Sequence, residues 1–185
     1  MEIPKKIYFK LRPLILPIDE ILFQIPSDSS ILDLGCGKGL LINNITNFKK
    51  YVGVDLNIIN QKIKNIEFIK DDCLTYIEGD LGDFNTFLII DLLHHISPEF
   101  QKAFLKNLLT KIKQGDVLII KDINPRGLLF KFWNSFHDLI ISKQLINYFN
   151  FKSFESEIDR VQFSVNSFYK RIFLYDHYFL ILKKI

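Results

Sequence analysis

From Ile31 onward the chain alternates between short apolar runs and longer stretches in which apolar residues recur every three or four positions. The runs Ile31–Leu34, Tyr51–Asp55, Ile66–Lys70, Phe87–Asp91 and Val117–Lys121 read as strands, and helices are read near Leu40–Asn47, Ile58–Lys64, Pro98–Lys113 and Leu128–Phe149. Strands that are apolar on both faces and separated by helices predict a parallel sheet covered on both sides. The last third breaks this rhythm. After a helical reading at Ser153–Phe163, the strands Ser167–Leu174 and Tyr178–Lys183 are separated only by Tyr175, Asp176 and His177. So short a connection cannot make a parallel crossover, so the two strands should pair antiparallel. Ahead of the alternating region, residues 1–29 form a leader punctuated by Pro4, Pro13, Pro17 and Pro26, with a short amphipathic helix at Ile18–Phe23. No repeat, low-complexity tract or linker divides the chain, and residues 1–185 read as one domain.

Composition changes this picture little. The 185 residues suffice to bury a real core, and an apolar fraction of 48% argues against disorder. Phe alone occurs 18 times, which leaves apolar surface to spare for a pocket or a contact. The net charge is +3, and the lysines are interleaved with acids rather than gathered in a stripe, so no nucleic-acid partner is expected. Cys36 and Cys73 make neither a metal-ligand spacing nor a disulfide framework, which fits a reduced, cytoplasmic setting. The apolar stretch Leu14–Phe23 is broken by Pro17, Asp19 and Glu20, with no small-residue cleavage site behind it, so it does not read as a signal peptide. No run approaches the roughly 20 apolar residues that a spanning helix needs.

The segment Ile31-Leu32-Asp33-Leu34-Gly35-Cys36-Gly37-Lys38-Gly39 carries the chemistry. It reads as a buried strand, a tight glycine turn and a helix N-terminus, a junction where a small ligand lies against bare backbone. A dinucleotide fingerprint would be G-x-G-x-x-G with a pyrophosphate on the helix. Here the glycine spacing is one residue too short. Asp33, two positions before Gly35, would also offer an anionic pyrophosphate nothing. An acid there suits a ligand with positive charge, an ammonium or a sulfonium. Asp55 closes the second strand, where a carboxylate can accept from both ribose hydroxyls. Asp72 follows the third strand and could accept from an adenine amino group. Asp91 ends the fourth strand and begins Asp91-Leu92-Leu93-His94-His95. All lie at C-terminal strand ends, the edge where open α/β sheets bind ligands.

In this combination the chain resembles the class I S-adenosylmethionine-dependent methyltransferases, over about residues 30–122 and more loosely beyond. The resemblance implies a Rossmann-like sandwich: a seven-stranded, mostly parallel sheet of order 3-2-1-4-5-7-6, strand 7 antiparallel, with helices on both faces. It implies S-adenosyl-L-methionine as cofactor. Asp33 and the turn of Gly35, Cys36, Gly37 and Gly39 would hold its methionine portion. Asp55 would hold the ribose, Leu56 would pack on the adenine, and Asp72 would take the adenine amino group with Cys73 beside it. Asp91 and Leu92 would lie along the methionine portion through their backbone. Residues 30–122 then become a cofactor half and 123–185 an acceptor half, with the leader as a possible lid.

Methyl transfer is an in-line displacement on an already activated sulfonium, so alignment and exclusion of water do most of the work. A base is needed only where the acceptor must lose a proton. His94 and His95 are the candidates. His137 and Asp138, adjacent on a helix and facing different directions, read as a surface pair. Asp122 reads as a loop residue rather than a metal ligand, because the nearest other carboxylate, Asp116, falls at the opposite end of its strand; no metal is expected. The greasy segment Leu128–Phe151 reads first as core, with a wall for an apolar acceptor or a surface docking on membrane or protein as sharper readings. No Asn/Asp-Pro-Pro-aromatic tetrapeptide follows Asp91, and there is no Pro-Cys nucleophile. By resemblance, His-His after strand 4 points to small-molecule and lipid-like acceptors. The expected function is methyl transfer to such an acceptor. The alternatives are a catalytically silent, cofactor-holding subunit that supports a partner enzyme and, disfavoured by the glycine spacing, a nicotinamide-dependent oxidoreductase.

Overall fold

A computed structural model describes residues 16–124, 126, 147–173 and 175–185. One eight-stranded sheet organises them. In chain order its strands are β1 (Ser29–Leu34), β2 (Phe48–Val54), β3 (Gln61–Ile63), β4 (Ile66–Ile69), β5 (Thr86–Ile90), β6 (Val117–Ile123), β7 (Phe163–Ile172) and β8 (Tyr175–Lys184). The helices are α1 (Ile18–Gln24), α2 (Cys73–Tyr76), α3 (Pro98–Lys111) and α4 (Phe151–Glu155). The sheet runs β3-β4-β2-β1-β5-β6-β8-β7. Strands β4, β2, β1, β5 and β6 are mutually parallel, and β8 is antiparallel to both β6 and β7. With β3 set aside, this is the order 3-2-1-4-5-7-6 with an antiparallel seventh strand. The terminal hairpin read from the short Tyr175–His177 connection is present, but it turns earlier, between Ile172 and Tyr175.

Alternation along the central strands builds a core on each face, as the two-residue period of a strand requires. Leu32 and Leu34 of β1, Phe87 and Ile89 of β5, and Leu118 and Ile120 of β6 join one cluster with Phe104, Leu105 and Leu108 of α3. Ile31, Leu88, Ile90, Val117 and Ile119 join the other with Ile21 of α1. Helix α3 starts on Pro98, whose missing N–H costs nothing at that position. It buries Gln101, Phe104, Leu105 and Leu108, a helical stripe that includes one polar residue.

Two expected helices are not formed. In place of Leu40–Asn47 there is only a 3₁₀ turn at Ile42–Asn44. The segment is rich in Asn and Thr, which favour turns over helix interiors. Asn47 takes a left-handed φ of 56°, and β2 begins at the next residue. The glycine turn therefore has no helix N-terminus behind it. In place of Ile58–Lys64 lies the edge strand β3, paired antiparallel to β4. Lys64 at φ 54° opens the tight turn, and Asn60 Oδ1 accepts from the Lys70 N–H at 2.5 Å, closing the hairpin. The helix read at Ser153–Phe163 is the shorter α4, and β7 begins at Phe163. Residues 128–146 of the long predicted helix, His137 and Asp138 among them, lie outside the described residues, as do residues 1–15 of the leader.

Candidate active site

The glycine turn leaves the C-terminal end of β1 and folds back over β2. Gly35 and Cys36 both donate to the Val54 carbonyl, at 2.8 and 3.2 Å, and Gly39 donates to the Cys36 carbonyl at 3.0 Å. Gly35 has a φ of 78°, and a Cβ there would lie 2.8 Å from Leu92 Cδ1, so both conformation and space demand glycine. Leu92 is thus pressed against the turn. Gly37 differs: a Cβ would meet nothing within 4 Å, so its backbone borders open space. Cys36 tucks its sulfur over Gly53, where an added Cβ would approach it to 2.8 Å.

Two carboxylates bracket the turn. Asp33, only 2% exposed, accepts from the Tyr51 hydroxyl at 2.5 Å. Asp55 accepts from the Gly37 N–H at 2.9 Å and the Asn57 N–H at 2.8 Å, which fixes its orientation while leaving acceptor capacity on both oxygens. Burial, followed by the Asp33 carboxylate, pushes the Tyr51 phenol well above its usual range. Burial also pushes up the Cys36 thiol, with Asp33 and Asp55 adding to it. Beside the turn lies a cleft of about 290 Å³, lined by Asp33, Gly35 and Cys36 together with Leu16, Ile18, Leu41 and Ile90. The leader and α1 therefore contribute a wall next to the turn.

Asp72 caps α2, its Oδ1 accepting from the Leu74 N–H at 2.9 Å. The Cys73 side chain is buried and donates to the Val54 carbonyl at 3.6 Å, and burial raises its thiol to about 12. Cys73 thus supports the loop from below and offers a ligand only its backbone. Leu56, by contrast, is 58% exposed directly after Asp55.

A second polar cluster stands where β5 and β6 end. Asp91 takes a left-handed φ of 55° and pairs with Lys121 at 2.6 Å, an ammonium whose side chain is only 1% exposed. His94 and Asp122 form a short, buried ion pair or hydrogen bond through Nδ1 and Oδ1, and the His94 N–H donates to Asp122 Oδ2 at 3.2 Å. Asp122 is thus the last buried residue of β6, not a loop residue. Asp91, His94 and Asp122 bring ligand atoms within 4.8 Å of one another, close enough to chelate a cation, although Lys121 already supplies positive charge to Asp91. His95 is exposed at the rim, its ring 4.0 Å from that of His94. The loop carrying both is pinned by Gln101, which donates to the carbonyls of Leu93, Ile96 and Asn147. Asn147 in turn donates its N–H to the His94 carbonyl at 3.1 Å.

Sequence reasoning missed three of these residues. Asp122 was recoverable from the implied order, which puts strand 5 beside strand 4. Gln101 was recoverable as the one polar residue on the apolar stripe of α3. Nothing in the sequence marked Lys121 as a buried cation.

A family model described as a methyltransferase domain matches residues 8–167. The chain belongs to the class I S-adenosylmethionine-dependent methyltransferases. Among curated proteins, pavine N-methyltransferase of Thalictrum flavum subsp. glaucum is 32% identical over 111 residues, covering 53% of this chain. The chain spans only 30% of the length of that relative. Solved structures share the fold. A SAM-dependent methyltransferase from Archaeoglobus fulgidus superposes with a TM-score of 0.66 at 17% identity, over 98% of this chain and 94% of its own. The Burkholderia thailandensis 1,6-didemethyltoxoflavin-N1-methyltransferase does so at 0.69 and 14%, over 95% and 80%.

The residues of this chain fit the family's donor. Gly37 leaves open space beside bare backbone. The acceptor-only carboxylates Asp33 and Asp55 suit a ligand whose ammonium and ribose hydroxyls donate. Among the described residues no helix is long and apolar enough to cross a membrane.

Proposed function

We propose that this protein transfers a methyl group from S-adenosyl-L-methionine to a small-molecule or lipid-like acceptor, within one domain in which residues 30–122 hold the donor and residues 123–185 face the acceptor. The observation that carries this reading is the pairing of a bare glycine turn with two carboxylates at the sheet's C-terminal edge, Asp33 and Asp55. The bound donor supplies an activated sulfonium methyl. Asp33 and the backbone at Gly35–Gly37 would hold the methionine portion, Asp55 the ribose and Leu56 the adenine face. Asp72 would reach the amino group through the oxygen not engaged in capping. Asp91 and Leu92 would border the methionine portion, with His94 and His95 on the acceptor side. The relatives support an acceptor of this size: one is named for pavine, another was crystallised with 1,6-didemethyltoxoflavin.

Calorimetric titration with S-adenosylhomocysteine tests the donor half. Saturable binding is expected, and Asp55→Ala should weaken it by about 1–3 kcal/mol through lost charge-assisted bonds. No heat at millimolar ligand would refute the reading. An unchanged affinity in the variant would remove Asp55 from the site.

A further inference from the structure

Resting on that reading, we infer that Tyr51 is a positioning residue for the donor: its hydroxyl sets the plane of the Asp33 carboxylate, and that carboxylate receives the ammonium of the donor's methionine portion. On β2, Tyr51 and Gly53 face the same side of the sheet. The parallel register sets Gly53 beside Asp33, and Tyr51 beside Ile31. On its β2 side Asp33 therefore meets a residue without a side chain, and the tyrosine two positions back reaches along the sheet to it. The Tyr51 hydroxyl donates to Asp33 Oδ2 at 2.5 Å. Burial, and after it the Asp33 carboxylate, hold the phenol well above its usual range, so the phenol keeps its proton and the carboxylate accepts.

The tyrosine is itself held. It is fully buried, and its ring meets that of Phe68 edge-on, 5.9 Å between centroids. Phe68 in turn lies against the glycine turn, where a Cβ on Gly39 would come within 2.6 Å of its ring. The space over Gly53 is taken by the Cys36 sulfur and the Phe68 ring, 2.8 and 3.0 Å from where a Cβ would stand. Tyr51, Phe68 and Cys36 thus form one packed layer beneath the turn, and the hydroxyl is fixed relative to the backbone that borders the ligand. Side chains locked by packing in this way are what a precise binding group needs behind it. The charge fits as well. Asp33 is only 2% exposed, lines the cleft beside the turn, and shares its face of the sheet with Ile31, Leu88 and Ile90. A carboxylate among such residues is costly to bury, and a cationic ligand offsets that cost as it binds. A neutral phenol orients the carboxylate without itself cancelling the charge that draws the ammonium, which a lysine or arginine at the same place would do.

The test is calorimetric titration of the full-length protein with S-adenosylhomocysteine and with its deamino analogue, in which hydrogen replaces the ammonium. The wild type should bind S-adenosylhomocysteine about 10- to 100-fold more tightly than the analogue. Tyr51→Phe keeps the ring and removes the hydroxyl. It should weaken S-adenosylhomocysteine by about tenfold and leave the analogue within about twofold of its wild-type affinity. A tyrosine that only packs beneath the turn would weaken both ligands alike, and that result overturns the inference. So does a variant whose preference for S-adenosylhomocysteine is unchanged. Asp33→Asn gives a second reading should Tyr51→Phe not fold: it should erase the preference, and a preference that survives overturns the inference. If the wild type binds S-adenosylhomocysteine no better than the analogue, this inference falls alone. If S-adenosylhomocysteine does not bind, the proposed donor site beneath it falls too.

Discussion

The proposed donor side and the proposed acceptor side of this sheet are built by different means. Around the glycine turn, polar contacts are short in sequence and largely backbone. Val54 O receives Gly35 and Cys36, while Gly37–Asp55 and Tyr51–Asp33 each span 18 residues. On the proposed acceptor side the contacts start from side chains, ending on side chains or on backbone carbonyls, and reach further along the chain. They span 28 residues for His94–Asp122, 46 for Gln101–Asn147 and 50 for Arg126–Asp176. A site made by a turn travels with its motif. A site made by side chains meeting across a finished sheet can change one partner at a time.

The largest effect is expected at the buried cation where β5 and β6 end. Lys121→Met removes the buried ammonium beside Asp91 and should cost about 3–5 kcal/mol in urea unfolding. The double variant Lys121→Met with Asp91→Asn should recover much of that loss. If the single variant is as stable as wild type, the pair is not a buried support. On the donor side, Gly35→Ala forces a left-handed residue against Leu92 and should cost about 1–3 kcal/mol, read as a roughly 10- to 100-fold loss of S-adenosylhomocysteine affinity. An unchanged affinity would mean the turn is not the ligand's floor.

The smallest effect lies at the far rim of the acceptor side. There burial works to raise the Asp176 carboxyl, but the Arg171 fork and Arg126 prevail and hold it at about 2. A carboxyl held below its unfolded value of about 3.9 adds stability above that pH and loses it as the pH falls. Thermal midpoints should therefore drop between about pH 4 and pH 2 in the wild type. In Asp176→Asn the drop should be shallower. Equal slopes would show that the arginine contacts are too solvated to matter.

The same contrast explains what was legible in the sequence. Strands β1, β2, β4, β5 and β6 were readable because burial on both faces makes them apolar throughout, and the spacing Asp33-x-Gly35-x-Gly37 is local. The helices expected at Leu40–Asn47 and Ile58–Lys64 were read from apolar spacing alone, and turn-forming Asn residues overrode it: Asn47 ends the first segment and Asn60 closes the β3 hairpin. Asp72 shows a mixed case, since one carboxylate can both cap α2 and face a ligand. Asp122 and Lys121 are neighbours in sequence, yet alternation along β6 turns them to opposite faces. Each finds its counterpart, His94 or Asp91, only once β5 and β6 lie side by side.

The thiols beneath the donor site have a consequence for the protein's own survival. The family's methyl donor is an alkylating agent, and in the proposed site Cys36 sits within its reach. A thiolate is a strong nucleophile and a thiol a weak one. Burial raises both Cys36 and Cys73, the latter to about 12, and the carboxylates on either side of Cys36 push in the same direction. In the proposed site the aspartates that would attract the donor's positive charge add to burial in pushing the nearest thiol up, away from the thiolate form that a methyl donor would alkylate.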